Sequence, residues 1–96
     1  MVTRKRPSPT PGRPKGAKSF DPVSAAIFGE EVRRARIDAG ISQEGLALAA
    51  NVERSYLGRV ERGQSQPTLF VILKVAVALG VSASALVLQV EKRLMG

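Results

Sequence analysis

The sequence predicts an all-α domain of five short helices preceded by a basic arm. Three observations lead to this fold class. Apolar residues recur at helical spacing after residue 20, most of the helical segments begin or end at a typical capping or stop residue, and 96 residues make one domain. We therefore predict a compact helical domain over residues 21–96 and a separate arm over residues 1–20.

The arm differs from the rest of the chain in composition. Residues 1–20 contain six basic residues, no acidic residue and four of the six prolines. Such a segment cannot bury enough apolar surface to offset the entropy lost on ordering, so we predict that it is disordered. It carries +6 of the formal charge of +7, which leaves only +1 on residues 21–96.

The five helices are predicted at about residues 25–39, 42–50, 53–62, 68–79 and 82–94. The first has an apolar stripe at steps of four, three and four residues, formed by Phe28, Val32, Ala35 and Ala39. Typical capping residues precede three of the others, namely Ser42, Thr68 and Ser82. A residue that tolerates positive φ follows each of the first four helices.

The fourth segment is apolar at ten of its eleven positions, with Lys74 as the exception. Its β-branched residues would suit a strand, but its cap, its length and the lack of a second strand to pair with favour a helix. We expect its inner stripe to be Leu69, Ile72, Leu73, Ala76 and Leu79. The remaining apolar surplus predicts a homodimer interface formed by Phe70, Val77, Val90 and Leu94.

Composition excludes several classes of function. The chain has no Cys and no His, so it lacks a thiol nucleophile, cysteine metal ligands and the commonest general base. We predict no enzymatic activity, no cofactor and no metal. The basic start has no apolar run behind it, and no apolar stretch approaches the ~20 residues that span a bilayer. We expect a cytoplasmic, nucleoid-associated protein whose partner is nucleic acid and not a membrane.

Helices two and three are joined by about four residues around Asn51, which is the spacing of a helix-turn-helix unit. Five segments in order, 36–47, 50–52, 55–63, 67–69 and 78–82, resemble the Cro/CI-type (XRE) family of DNA-binding domains. The resemblance covers about Phe28 to Val87. It implies a lambda-repressor-like five-helix fold and sequence-specific binding to double-stranded DNA, usually as a dimer. A two-fold dimer through helices four and five would make the operator palindromic. The resemblance also implies transcriptional control, typically as a repressor or controller protein.

The resemblance places the base-contacting positions on Glu53, Arg54, Ser55 and Arg59. Arginine suits this role because its guanidinium can donate to O6 and N7 of guanine. Glu53 departs from the family, where Ser or Thr is more usual. Its carboxylate would be repelled by phosphate, although it could accept a hydrogen bond from cytosine N4 or face the helix dipole. A solvated charged face is the alternative for the arginines.

Phosphate contacts are predicted for Gln43, Tyr56, Arg62 and Gln64. Gln43 opens helix two, where free backbone N–H groups attract anions, and the resemblance implies that it grips a phosphate. The resemblance also implies a structural ion pair between Arg36 and Glu61. We expect the other acidic residues of this region, Glu30, Glu31, Asp38 and Glu44, to lie on solvated faces.

Within the arm, Gly12-Arg13-Pro14 followed by Lys15 looks like a degenerate AT-hook, which predicts minor-groove contacts for Arg13 and Lys15. General attraction to phosphate, or solubility alone, is the alternative. Two other functions are alternatives: an antitoxin-type module that binds a toxin protein, and a less specific architectural protein. RNA polymerase is a further partner to consider for a regulator.

Overall fold

The computed structural model describes residues 20–96 and contains within them five α-helices and no strand. The helices are α1 (Pro22–Asp38), α2 (Gln43–Ala50), α3 (Arg54–Glu61), α4 (Leu69–Leu79) and α5 (Ala83–Met95). The predicted all-α class is therefore confirmed. The predicted arm, with Arg13 and Lys15, lies outside the described residues except for Phe20.

Helix α1 begins earlier than the predicted start near Ala25. The reason is Asp21, whose side chain accepts a hydrogen bond from the backbone N–H of Ser24 at 3.1 Å. Pro22 follows it, and proline suits the first turn because the N–H that it lacks would have no helical partner there. The predicted stripe is buried at Phe28 and Val32. Ala39 does not belong to it, because the helix has ended and the residue is exposed.

The predicted caps of three helices are present. The hydroxyl oxygens of Ser42, Thr68 and Ser82 accept hydrogen bonds from backbone N–H groups three residues ahead, at 2.9, 3.2 and 3.3 Å. Each such cap is worth about 0.5–2 kcal/mol. Asn51 ends α2 in the left-handed conformation, with φ 57° and ψ 49°. Local sequence therefore fixes these helix ends.

The core lies where the five helices meet, since α1 packs against α3 and α5, α2 against α3 and α4, and α4 against α5. Every helix contributes to it; the buried residues are Phe28, Val32, Leu46, Ala47, Ala50, Leu57, Val60, Val75, Ala76, Leu79, Leu86 and Val90. α1 and α3 approach closely at Gly29. A Cβ on Gly29 would overlap the carbonyl oxygen of Val60 and lie 2.6 Å from that of Glu61. The backbones of α1 and α3 are therefore in close contact at Gly29.

The inner face of α4 differs from the prediction. Leu69 and Leu73, expected in the core, are 69% and 46% exposed, whereas Val75 is buried. Because α4 is apolar on nearly every side, periodicity does not fix its rotation, and packing against α2 and α5 does. The position of Val90 also differs from the prediction. We predicted it at a dimer interface, but it lies in the core because α5 turns this side towards the other helices.

α4 and α5 hold most of the exposed large apolar side chains. Of the residues predicted at a dimer interface, Phe70 is 67% exposed, Val77 81% and Leu94 48%. No single helix in residues 20–96 has the length and hydropathy needed to cross a membrane. α4 and α5 meet these two criteria only when they are taken together, and the chain bends by 112° between them.

A cluster of charges joins the end of α5 to α1. Arg93 donates hydrogen bonds to Glu30 at 2.6 Å and to Glu31 at 2.9 Å, and Arg34 lies 3.7 Å from Glu31. The prediction that Glu31 lies on a solvated face is wrong, because its side chain is only 7% exposed. It lies three residues after Phe28 and four before Ala35, so it shares their side of α1.

Glu30→Gln should destabilise the domain at neutral pH and have little effect in acid. The hydrogen bond from Arg93 and the charge of that arginine lower the pKa of the Glu30 carboxyl, so the folded state favours the ionised form. This contribution is present above the ordinary pKa of glutamate and is lost as the pH falls through the lowered value. Urea unfolding of both proteins at pH 7 and at about pH 2.5 measures it. An equal difference at both pH values would contradict the prediction.

Candidate nucleic-acid interface

Helix α3 has one face in the core and the opposite face in solvent. Leu57 and Val60 are each 1% exposed, whereas Arg54, Ser55 and Arg59 are exposed. The buried pair fixes the rotation and depth of the helix. The three outer side chains therefore project from a rigid support, which is the geometry that reading base edges in a groove requires.

Glu53 precedes α3 as its N-cap residue, yet its side chain makes no capping hydrogen bond. Ser or Thr at this position would cap the helix with a hydroxyl, so the departure noted in the sequence has a structural consequence. The exposed carboxylate lies at the positive end of the α3 dipole. Its oxygens are left to accept a hydrogen bond from an external donor such as an amino group.

A chain of hydrogen bonds runs from the ion pair to the outer face of α3. Arg36 donates to Glu61 through Nε at 2.7 Å and through Nη2 at 3.0 Å. Oε1 of Glu61 also accepts from Nε2 of Gln43 at 3.1 Å. Oε1 of Gln43 in turn accepts from Nη1 of Arg54 at 3.4 Å. The ion pair that the resemblance implies thus lies at the base of a network that ends at Arg54.

The ion pair itself is largely buried, with the side chains of Arg36 and Glu61 13% and 3% exposed. The hydrogen bond from Arg36 to Glu61 raises the pKa of the guanidinium, against the opposing effect of burial. Arg36 also donates to the carbonyl oxygen of Ile41 at 3.0 Å. One guanidinium therefore ties α1, the loop before α2 and the end of α3 together.

Two predicted phosphate contacts, Arg62 and Gln43, lie near Gly58, and a third, Gln64, is hydrogen-bonded to Arg62. A Cβ on Gly58 would lie 3.1 Å from Nη1 of Arg62 and 3.7 Å from Oε1 of Gln43. Arg62 also donates through Nε to Oε1 of Gln64 at 3.2 Å. The fold thus brings these side chains together. Nε2 of Gln43 is engaged by Glu61, so a phosphate that bound this amide would compete with that carboxylate.

Tyr56, the fourth predicted phosphate contact, packs against Arg59. The guanidinium carbon lies 5.6 Å from the centre of the ring, within the range of a cation–π contact. Burial raises the pKa of the Tyr56 phenol, against the opposing effect of the Arg59 charge. The hydroxyl is therefore protonated at neutral pH and can donate to a phosphate oxygen. The contact also limits the conformations of Arg59.

The start of the described chain lies against the loop that follows α3. The backbone N–H of Asp21 donates to Oε1 of Gln66 at 2.8 Å, and Nε2 of Gln66 lies 3.5 Å from the hydroxyl of Ser24. These contacts tie the N-terminal end of α1 to the loop that follows α3.

Sequence reasoning missed the role of Lys74. Its ammonium donates to the carbonyl oxygen of Asn51 at 3.1 Å and lies 4.8 Å from the centre of the Phe70 ring. Lys74 thus links α4 to the end of α2, directly before the turn into α3. The available signal was a single polar residue in an otherwise apolar helix.

Glu61→Ala should destabilise the domain by about 3–5 kcal/mol, because the change leaves the Arg36 charge buried without its partner. Glu30→Ala is the matched control, since Glu30 also pairs with an arginine but is 60% exposed. Glu30→Ala should lower the free energy of unfolding much less than Glu61→Ala does. Urea unfolding of the three proteins at pH 7 compares them. Equal losses would contradict a structural role for the buried pair.

A model of the helix-turn-helix family (HTH_3) matches residues 32–86. A hypothetical transcription factor of Neisseria meningitidis is 39% identical over 69 residues, covering 72% of this chain and 65% of that protein. The uncharacterized HTH-type transcriptional regulator YazB of Bacillus subtilis is 38% identical over 64 residues, covering 67% of this chain and 93% of that one.

A solved structure extends the likeness to three dimensions. The restriction-modification controller protein C.AhdI from Aeromonas hydrophila matches with a TM-score of 0.64 at 44% identity, covering 65% of this chain and 94% of that chain. The matched family segment contains α2, the turn and α3, which are the elements that position the candidate interface. The chain therefore belongs to the Cro/CI-type (XRE) helix-turn-helix family of transcriptional regulators.

Proposed function

We propose that this protein binds double-stranded DNA sequence-specifically, as a homodimer on a palindromic operator, and acts as a repressor or controller protein. The observation that carries the proposal is the outer face of α3. Its exposed side chains can all form hydrogen bonds, while Leu57 and Val60 on its inner face are buried in the core. The controller protein among the similar structures supports the regulatory part of the proposal.

Base recognition would rest on four side chains at and before α3. Arg54 and Arg59 can each donate two hydrogen bonds to a guanine, a contact worth about 1–3 kcal/mol of discrimination. Ser55 lies between them and can donate or accept. Glu53 would accept from cytosine N4. The network through Gln43 holds the Arg54 guanidinium before DNA arrives, which reduces the entropy lost on binding.

Phosphate contacts would set the position of α3 in the major groove. Gln43, Tyr56, Arg62 and Gln64 are the proposed donors, together with the free backbone N–H groups at the start of α2. Because residues 21–96 carry a net charge of only +1, these contacts position the domain more than they attract it. The arm, with its charge of +6, would supply most of the salt-dependent attraction.

The exposed apolar residues of α4 and α5, among them Phe70, Val77 and Leu94, support the proposed dimer. A two-fold axis would place two recognition helices about 34 Å apart, one turn of duplex. The two half-sites would then be read by identical surfaces, so the operator would be palindromic.

Selection from random duplex DNA should yield a two-fold symmetric site. Arg54→Ala and Arg59→Ala should each weaken binding to that site about ten- to a hundredfold and relax the preference at one base pair per half-site. Arg34→Ala is the matched control, because Arg34 is 65% exposed on α1, away from α3, and its loss should leave binding unchanged. Failure to enrich any sequence would contradict the proposal and favour an architectural role.

The arm is proposed to bind the minor groove beside the operator through Arg13 and Lys15. The contact of Asp21 with Gln66 supports this, because Asp21 follows the arm in the sequence and lies against the loop after α3 that also holds Gln64. Deleting residues 1–19 should weaken binding, reduce its salt dependence and remove a preference for A·T-rich flanks.

A double variant, Arg13→Ala with Lys15→Ala, separates groove binding from simple attraction. It keeps four of the six arm charges, so most of the salt dependence should remain while the flank preference is lost. Binding-site selection at two salt concentrations measures both. A flank preference that is unchanged in the double variant would contradict minor-groove binding by Arg13 and Lys15.

A further inference from the structure

α4 and α5 each present an exposed apolar stripe that contains one charged residue. On α4, Phe70, Leu73 and Val77 recur at steps of three and four, with Lys74 beside them. On α5, Val87 and Leu94 flank the exposed Glu91 at steps of four and three. The two stripes therefore have matching helical spacing and opposite charge.

A groove of about 450 Å³ lies between the end of α2 and α4. Its lining is mostly apolar and includes Ala49, Asn51, Phe70, Leu73, Lys74 and Val77. Lys74 contacts the Asn51 carbonyl and the Phe70 ring, but no carboxylate within residues 20–96 lies at ion-pair distance from it. Glu91 forms no ion pair within this range either. Each stripe thus carries a charge that the monomer does not neutralise.

We infer that α5 of a second copy of this chain fills the groove beside α4, so that Glu91 of one subunit pairs with Lys74 of the other. This inference rests on the proposed homodimer and specifies which helices of the two subunits are in contact. Val87 and Leu94 would pack against Phe70, Leu73 and Val77 while the opposite charges meet. Two-fold symmetry would form this contact twice, with α4 of each subunit against α5 of the other.

The charges argue against the simpler dimer in which each helix packs on its own symmetry copy. Pairing α4 with α4 would bring two Lys74 ammonium groups to one apolar surface without an acid, and burial of an unpaired charge is costly. Pairing α5 with α5 would do the same with two Glu91 carboxylates. The crossed arrangement neutralises both charges and covers Val77 and Leu94 in a single interface.

Charge reversal tests the pairing on the full chain by sedimentation equilibrium without DNA. Lys74→Glu and Glu91→Lys should each raise the dimer dissociation constant about tenfold or more, because each creates two like-charge contacts. The double variant should return to within about threefold of the wild-type constant. An equimolar mixture of the two single variants should form a heterodimer, since both of its contacts again join opposite charges.

Two controls keep the folding of the monomer separate from dimerisation. Glu91→Lys removes no contact inside the monomer, so its thermal unfolding followed by circular dichroism should match the wild type at concentrations where both are monomeric. Glu44→Lys reverses another exposed glutamate, at the far end of α2 from the groove, and should dimerise like the wild type.

Single reversals without effect, or a double variant as weak as the singles, would overturn this pairing. The proposed regulator would stand in that case, provided that the chain still dimerises and selects a two-fold site. A chain that stays monomeric at about 100 μM, with and without its selected DNA, would overturn the dimer itself and this pairing with it.

Discussion

The buried ion pair between Arg36 and Glu61 is the interaction on which the arrangement of this domain depends. It joins α1, the loop before α2 and the end of α3 through hydrogen bonds of 2.7–3.0 Å. Neither charge can be left alone in this position without a large cost, so the three elements are held in one relative placement. Gln43 extends the same network to Arg54, which couples the packing of the domain to the direction of a side chain that we propose to contact bases.

The charge of the protein is divided between two parts with different physical roles. The arm carries +6 and residues 21–96 carry +1. Attraction to a polyanion depends on the number of charges and falls with salt, whereas discrimination between base pairs depends on where a few donors and acceptors are held. In this chain the nearly neutral part holds α3, and its support by Gly29 and the ion pair is what such discrimination requires.

α4 and α5 leave more large apolar side chains exposed than the other helices do. A helix that is apolar on nearly all sides can bury any of its faces, and only the neighbouring helices decide which. Here packing against α2 and α5 buries Val75, Ala76 and Leu79. The side chains of Leu69, Phe70, Leu73 and Val77 remain exposed. Lys74 lies at the edge of this surface and also contacts Asn51 in the turn before α3, so the surface adjoins the turn that leads into α3.

The sequence by itself determined the helices and the face of α3, because caps, left-handed residues and helical periodicity act over a few neighbouring residues. Ser42, Asn51 and Thr68 fix their helix ends through such local bonds. The tertiary structure alone decided the rotation of α4, the burial of Val90 and Glu31, and the contacts of Gln43 with Glu61 and Lys74 with Asn51. These contacts join residues 18 to 62 positions apart, and the burial of a helix face depends on which neighbouring helix covers it. No local sequence pattern contains that information.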